Sequence, residues 1–264
     1  MSTVATYLDR ILAAHRQAAG KDGRDLGPLI RAAESCPPTR RFEKALRAGP
    51  DVAVIAEIKR RSPSKGPLAP DLEPDIVAKA YAGAGAACLS VLTDQEFFGG
   101  SADDLARARE AVELPALRKD FTVCAGDVCD ARLMGADAVL LIVGALSAGE
   151  LVDFLALSRR LQLAALVEVH DEAEAEAALA AGATIIGVNQ RDLVTFEVDT
   201  DRAARVAGHL PGGVTRVAES GIRTADDVRR LADAGFDAVL VGEALVTAAD
   251  PGAALAALRG VRGG

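Results

Sequence analysis

Glu57 and Lys59 stand two residues apart in VAVIAEIKRRSPSKG, residues 52–66. The apolar run before them fits a buried strand. Strand side chains repeat with period two, so the carboxylate and the ammonium share a face. Other apolar runs end in the same way. PALRKDF closes on Lys119 and Asp120, AALVEVH on Glu168 and His170, and TIIGVNQ on Asn189. TRVAES closes on Glu219 and Ser220, and AVLVGEAL carries Gly242 and Glu243. Opposed charges in one pocket tune each other's protonation, as acid/base chemistry requires. Singly, each residue has a plain reading: a strand-end Lys reaches solvent and a Glu pairs with it. Charged or polar groups at matching ends of several runs point instead to one functional pocket. No Ser/His/Asp nucleophile set accompanies them. His15 and His209 read as structural, and His170 as the start of the next turn.

The residues need elements that bring them together. Eight apolar runs, at 52–59, 87–93, 115–121, 138–144, 164–170, 184–190, 215–220 and 238–245, lack polar alternation. Such runs between helices indicate parallel strands buried on both faces. Helical patterns such as SADDLARAREAV, SAGELVDFLALSRRL, DEAEAEAALAAG and TADDVRRLADAG separate them. Eight βα units over roughly 210 residues predict an α/β fold, a closed (β/α)8 TIM barrel. An open doubly wound sheet is the competitor, better suited to six strands or fewer. In a barrel the strands' C-terminal ends form the active-site face, and alternate strands contribute to one layer. Glu57 or Lys59, Lys119, Glu168 and Glu219 come from odd-numbered strands and would converge on the axis.

A weak repeat supports closure. AGAGAACLSV, LMGADAVLLI, AAGATIIGV and DAGFDAVLVG each place a glycine (Gly85, Gly135, Gly182, Gly235) at a helix stop before a strand. Upstream, VATYLDRILAAHRQAAG carries an apolar face of Val4, Leu8, Ile11 and Leu12 and predicts an amphipathic helix. TRRFEKALRAG predicts a second, short one, with ESCPPT as a break between them. Residues 1–48 are therefore read as a helical extension packed on a catalytic barrel of residues 49–264.

A phosphate site is also legible. ESGIRTADDV turns at Gly221 and starts a helix at Thr224, with Asp227 in capping-box spacing. LVGEAL puts Gly242 at the start of a short helix. Glycine turns and helix N-termini present backbone N–H groups to an anion, and barrels place such sites after strands 7 and 8. Glu243 would offer its amide there while its side chain turns away.

Composition narrows the class. The chain has 264 residues, 50% apolar and 3% aromatic, with no Trp, so Ala, Val, Leu and Ile must build the core. A formal charge of −8 argues against a nucleic-acid partner. Cys36, Cys88, Cys124 and Cys129 lack metal-ligand spacing, and Cys88 reads as a small buried hydrophobe. No signal peptide and no membrane-length apolar run is present, so a cytoplasmic protein without membrane contact is expected.

Together, IAEIKRRSPSKG, SVLTDQEFFGGS, LRKDF, LVEVH, IIGVNQRDL, ESGI and LVGEAL resemble, in order, the motifs of the indole-3-glycerol phosphate synthase family. They span residues 55–245, nearly the whole barrel. The resemblance implies a carboxy-lyase of tryptophan biosynthesis, a monomer needing no cofactor or metal. Its phosphorylated small-molecule substrate would be 1-(2-carboxyphenylamino)-1-deoxyribulose 5-phosphate, converted to indole-3-glycerol phosphate, carbon dioxide and water. The resemblance further implies Lys119 as general acid at the ketone oxygen and Glu168 as proton acceptor or cation stabiliser. Lys59 would assist dehydration and bind the substrate carboxylate. Glu57 and Asn189 would orient these groups, and Glu219 would complete the ring. Ser220, Gly221, Gly242 and the Glu243 amide would hold phosphate, with Ser62 and Arg191 at the rim and Phe121 and Leu240 lining the aromatic pocket. Gln190 departs from the family pattern, and should point away from the pocket if Asn189 points in. Rival phosphate-binding barrels, such as phosphoribosylanthranilate isomerase, are expected to use Cys/Asp or paired Asp. A non-catalytic barrel would have lost the charged set present here.

Overall fold

The structure, a computed structural model, describes residues 6–192 and 194–259. Val4 of the first predicted helix and Leu193 of IIGVNQRDL lie outside them. Three helices come first: α1 (Tyr7–Lys21), α2 (Leu26–Glu34) and α3 (Phe42–Leu46). Eight parallel strands then close into a barrel: β1 (Ala53–Ile58), β2 (Cys88–Leu92), β3 (Ala116–Lys119), β4 (Ala138–Ile142), β5 (Ala164–Val169), β6 (Ile185–Asn189), β7 (Thr215–Glu219) and β8 (Ala238–Val241). The ring closes where β8 pairs with β1, from Ala53↔Ala238 to Ala56↔Val241. Between the strands run α4 (Pro74–Gly83), α5 (Ala102–Ala111), α6 (Ala125–Leu133), α7 (Ala148–Arg160), α8 (Glu172–Ala180), α9 (Arg202–Ala207) and α10 (Ala225–Asp233). After β8 come α11 (Glu243–Val246) and α12 (Pro251–Leu258). Among the described residues no helix is long and apolar enough to cross a membrane.

Each run is apolar on both faces because each strand is covered twice. One face meets the helices: Val54, Ala56, Leu89, Val139, Val167, Ile186 and Val239 pack in that outer layer with Tyr81, Leu105 and Phe236. The other face fills the barrel, where Ile55, Cys88, Leu117, Leu140, Leu166, Ile185, Val217 and Leu240 interdigitate. Phe42 and Leu46 of α3 join this inner cluster. Cys88 is fully buried there, which pushes its thiol pKa up. The inward residues Ile55, Leu117, Leu166 and Val217 lie two positions before Glu57, Lys119, Glu168 and Glu219. Period two therefore stacks the charged ring directly on an apolar floor.

Local chemistry sets several boundaries. Gly85, Gly135, Gly182 and Gly235 all take left-handed φ, between 84° and 89°. The 115–121 run ends as a strand at Lys119, where Asp120 Oδ1 accepts the Phe121 N–H (2.8 Å) and turns the chain. The 238–245 run also shortens: Gly242 caps α11, leaving β8 only four residues. The sequence reading did not include α2. Asp25 caps it by accepting from the Gly27 N–H (3.0 Å), and its first turn holds Gly27 and Pro28, which interrupt the apolar period. Pro is tolerated in a first turn because no intrahelical acceptor awaits its missing N–H.

Candidate active site

A cavity of about 190 Å³ opens at the C-terminal ends of the strands. Its wall includes each residue to which the family resemblance gives a catalytic or binding role: Glu57, Lys59, Ser62, Lys119, Phe121, Glu168, Asn189, Arg191, Glu219, Ser220, Gly221, Leu240, Gly242 and Glu243. The centre is the Lys119 ammonium. It donates to Glu168 Oε2 at 2.9 Å and to Glu219 Oε2 at 2.6 Å. Asn189 Nδ2 donates to the other oxygen of Glu168 at 3.0 Å, while Asn189 Oδ1 accepts the Arg191 backbone N–H at 3.0 Å. Across the ring Lys59 and Glu57 form a close ion pair.

These contacts separate the protonation of the two Lys119 partners. Burial pushes the Glu168 carboxyl up. The charges of Lys119 and His170, with hydrogen bonds from Lys119 and Asn189, more than reverse that and hold it at about 2. Burial also pushes Glu219 up, and Lys119 pulls it down. The neighbouring Glu168 and Glu57 push it up again, so it sits at about 7. Its second oxygen, Oε1, is buried with no hydrogen-bond partner among the described residues. Burial disfavours the Lys119 ammonium, but Glu168, Glu219 and Glu57 raise its pKa above the ordinary value.

The phosphate-type turns lie beside this ring. Ser220 and Gly221 take consecutive left-handed φ of 68° and 75°. Left-handed backbone at a non-glycine residue costs on the order of 1–3 kcal/mol and persists only where surroundings enforce it. Gln190 supplies part of that restraint: its Nε2 donates to the Ser220 carbonyl at 2.7 Å. Gln190 is buried and is not part of the cavity wall. Thr224 and Asp227 form a full capping box at the head of α10. The Glu243 side chain does not turn away. Its carboxylate takes the Lys65 ammonium (2.5 Å) and lies 3.8 Å from Arg191 and 3.6 Å from Arg223. An anion draws in cations, and this carboxylate gathers three at the cavity rim.

Several lining residues were not anticipated. The chain has only seven Phe and two Tyr. Four of these nine line the cavity: Phe121, as expected, and also Tyr7, Phe98 and Phe196. Leu8 and Ile11 of α1 line it too, so the N-terminal helix is part of the site. His15, read as a structural histidine, stands at its edge: Nε2 lies 2.9 Å from Asp94 Oδ2, and its ring centroid lies 5.4 Å from that of Phe121. Tyr7, Leu8 and His15 are far from the strand ends in sequence, and nothing local connects them. The glycine in TIIGVNQ, in contrast, was a usable signal. A Cβ at Gly187 would stand 2.2 Å from Glu219 Oε1, and one at Gly242 would stand 2.1 Å from Glu57 Oε1. Glycine inside a strand often marks such a close approach.

His15, Asp94 and Asp120 bring three atoms of metal-ligand type together. The set does not suit a cation. Asp94 accepts from the Phe97 and Phe98 N–H groups and pairs with His15, and Asp120 accepts from Phe121, Thr93 and Arg118. Every carboxylate oxygen is engaged, and Asp120 already pairs with the Arg118 guanidinium at 2.9 Å.

Fold and site together define a (β/α)8 barrel with a charged, aromatic-walled cavity at the C-terminal face of its strands. Solved structures share the fold at low identity. One is a thiamine phosphate pyrophosphorylase from Pyrococcus furiosus (TM-score 0.60, 18% identity, covering 83% of this chain and 96% of that one). Another is an N-acetylmannosamine-6-phosphate 2-epimerase from Clostridium perfringens (TM-score 0.61, 13% identity, 80% and 93%). Sequence relatives are far closer. Indole-3-glycerol phosphate synthase 2 of Streptomyces coelicolor is 53% identical over 232 residues, 88% of this chain and 90% of that protein. The indole-3-glycerol phosphate synthase of Mycobacterium tuberculosis is 50% identical over 256 residues, 96% and 94%. The family pattern described as indole-3-glycerol phosphate synthase matches residues 8–258. The chain belongs to the indole-3-glycerol phosphate synthase family.

Proposed function

We propose that the protein closes the indole ring of 1-(2-carboxyphenylamino)-1-deoxyribulose 5-phosphate, giving indole-3-glycerol phosphate, carbon dioxide and water. The observation that carries this reading is the Lys119 ammonium held between Glu168 and Glu219, within a cavity that collects four of the chain's nine aromatic residues. A planar anthranilate ring lies against Phe121, Phe98 and Leu240. Its carboxylate meets Lys59. Lys119 presents a proton to the ketone oxygen as the new bond forms to the ring carbon that bears the carboxylate. Glu168 stabilises the cationic ring until that carboxylate leaves as carbon dioxide and returns its electron pair to the ring, and then takes up the proton released as water leaves. Lys59 assists loss of water, and Glu57, Asn189 and Glu219 keep these groups in place. Phosphate enters at the Ser220–Gly221 turn and the Gly242–Glu243 amides. Ser62, Arg191, Lys65 and Arg223 surround it, and the Glu243 carboxylate releases its cations to it.

By its family resemblance the enzyme acts on this small phosphorylated molecule as a monomer. The same reading places the enzyme in the cytoplasm, among the steps of tryptophan biosynthesis.

The test is turnover of the carboxyphenylamino-deoxyribulose phosphate, followed by indole fluorescence. The chain has no Trp, so the background is low. The signal is expected to rise, and Lys119→Ala to lower kcat by ~10²–10⁴, roughly 3–5 kcal/mol. A folded parent protein that binds phosphate but yields no indole would falsify the reading.

A further inference from the structure

His170 follows β5 directly, and its imidazole lies behind Glu168, outside the cavity wall. Glu174, in the first turn of α8, holds it from one side. A single oxygen, Glu174 Oε2, accepts the His170 backbone N–H at 2.7 Å and lies 3.2 Å from the ring Nδ1. A carboxylate oxygen only accepts, so Nδ1 carries a hydrogen. Glu174 is itself fixed. Its backbone N–H donates to Asp171 Oδ1 at 2.8 Å, and its Oε1 lies against Gly144, where a Cβ would come within 3.0 Å.

The opposite ring nitrogen decides the charge. Nε2 is buried, has no hydrogen-bond partner among the described residues, and stands 3.7 Å from Glu168 Oε1. A neutral ring with its hydrogen on Nδ1 would point an unsolvated lone pair at a carboxylate oxygen. That contact is repulsive and leaves a buried acceptor unsatisfied. A second hydrogen, on Nε2, converts it into attraction between an imidazolium and two carboxylates. The charged groups facing the ring are Glu168 from β5, Glu174 from α8 and Arg202 from α9, so acids outnumber the one cation.

We propose that His170 is a positioning residue, a resident imidazolium that keeps Glu168 ionised and in place from the side opposite Lys119. The inference rests on the role given to Glu168 under the proposed function. Glu168 spends one oxygen on Lys119 and the other on Asn189. When Lys119 turns its proton toward substrate, Glu168 loses its nearest cation as positive charge develops on the ring. His170 cannot leave, because Glu174 grips both its backbone and its ring. Burial works against the charged ring, yet the Glu174 hydrogen bond and the two carboxylates raise its pKa above 6.5.

Two measurements on the full chain test this. First, imidazole resonances are titrated by NMR, each of the three histidines being assigned by single substitution. His170 is expected to titrate above the ordinary value, and Glu168→Gln to lower that pKa by about one unit or more. Second, kcat and KM are followed against pH for the parent and His170→Asn. The variant is expected to lose kcat by roughly tenfold or more with little change in KM. It should also lack the alkaline decline that the parent shows as the ring deprotonates. A His170 that titrates at or below the ordinary value and ignores Glu168→Gln overturns the proposal. So does a His170→Asn profile parallel to the parent's. If His170→Asn does not fold, the titrations of parent and Glu168→Gln still decide. A parent that makes no indole defeats the proposed function, and the imidazole titration then judges the His170–Glu168 pair separately.

Discussion

Glu168 and Glu219 both accept from the Lys119 ammonium, yet they hold protons very differently. Glu168 has Asn189 and His170 as further partners, whereas Glu219 has a buried oxygen with none among the described residues. Lys119 cannot keep three nearby carboxylates ionised, and the one with least support takes up the proton. A neutral Glu219 also removes one of the charges that hold the Lys119 proton, which favours its transfer. The folded pKa of Glu219 is raised, from 4.5 to about 7. Its contribution to stability is therefore complete below the unfolded value and is lost as pH rises through about 7. Glu219→Gln imitates the neutral form at every pH. The stability difference between variant and parent should shift in the variant's favour by about 1–3 kcal/mol from about pH 5 to about pH 8. Turnover should fall by ~10²-fold. Urea unfolding at the two pH values measures the first effect, and a difference that does not move with pH would count against the raised pKa. The carboxylates themselves were legible as strand ends. The assignment of the proton was not, because it depends on which of them Asn189 and His170 reach.

At the scale of elements, strand period and strand order carried most of what was legible. Eight apolar runs became eight strands, and their polar ends met because a barrel brings all C-terminal ends to one face. Where the reading stopped short, the cause was a local break or a distant partner. Gly27 and Pro28 hid α2, and Asp120 and Gly242 cut two strands short of their apolar runs. Gly187 shows how closely these elements are fitted. It stands in β6 beside β7, paired with Val217, and its missing Cβ leaves room for the Glu219 carboxylate and Leu166. Its backbone φ is not left-handed, so Gly187→Ala tests space alone. The methyl should displace Glu219 from Lys119. The expected result is a kcat loss of ~10²-fold with a destabilisation of only about 1–3 kcal/mol. Thermal unfolding and turnover on the same sample separate the two. A variant with parental kcat would mean that Glu219 moves aside without consequence.

The whole molecule is acidic, with a formal charge of −8, yet it gathers Lys59, Lys65, Lys119, Arg191 and Arg223 around one cavity. One wall of that cavity is brought from the far N-terminal side of the chain. Tyr7, Leu8 and Ile11 reach it because α1 folds back over the barrel mouth, and His15 pins the helix there through Asp94 after β2, with Asp120 after β3 at 3.9 Å. Burial opposes the His15 imidazolium. The hydrogen bond to Asp94 and the charges of Asp120, Asp94 and Asp127 outweigh it, and its pKa is raised above 6.5. A raised histidine stabilises fully below its unfolded pKa, and that stabilisation is lost as pH rises through the folded value. His15→Gln keeps a donor for Asp94 but removes the charge. The parent should therefore exceed this variant by about 1 kcal/mol near pH 6, and the margin should vanish by about pH 9. Because α1 also forms the pocket wall, KM near pH 6 should rise more than kcat falls. Thermal unfolding and steady-state kinetics at both pH values measure this, and a margin equal at the two would leave His15 as packing alone. A pH-sensitive margin accompanied by a KM effect would make the helix before the barrel a working part of the site, held across its mouth by one imidazolium.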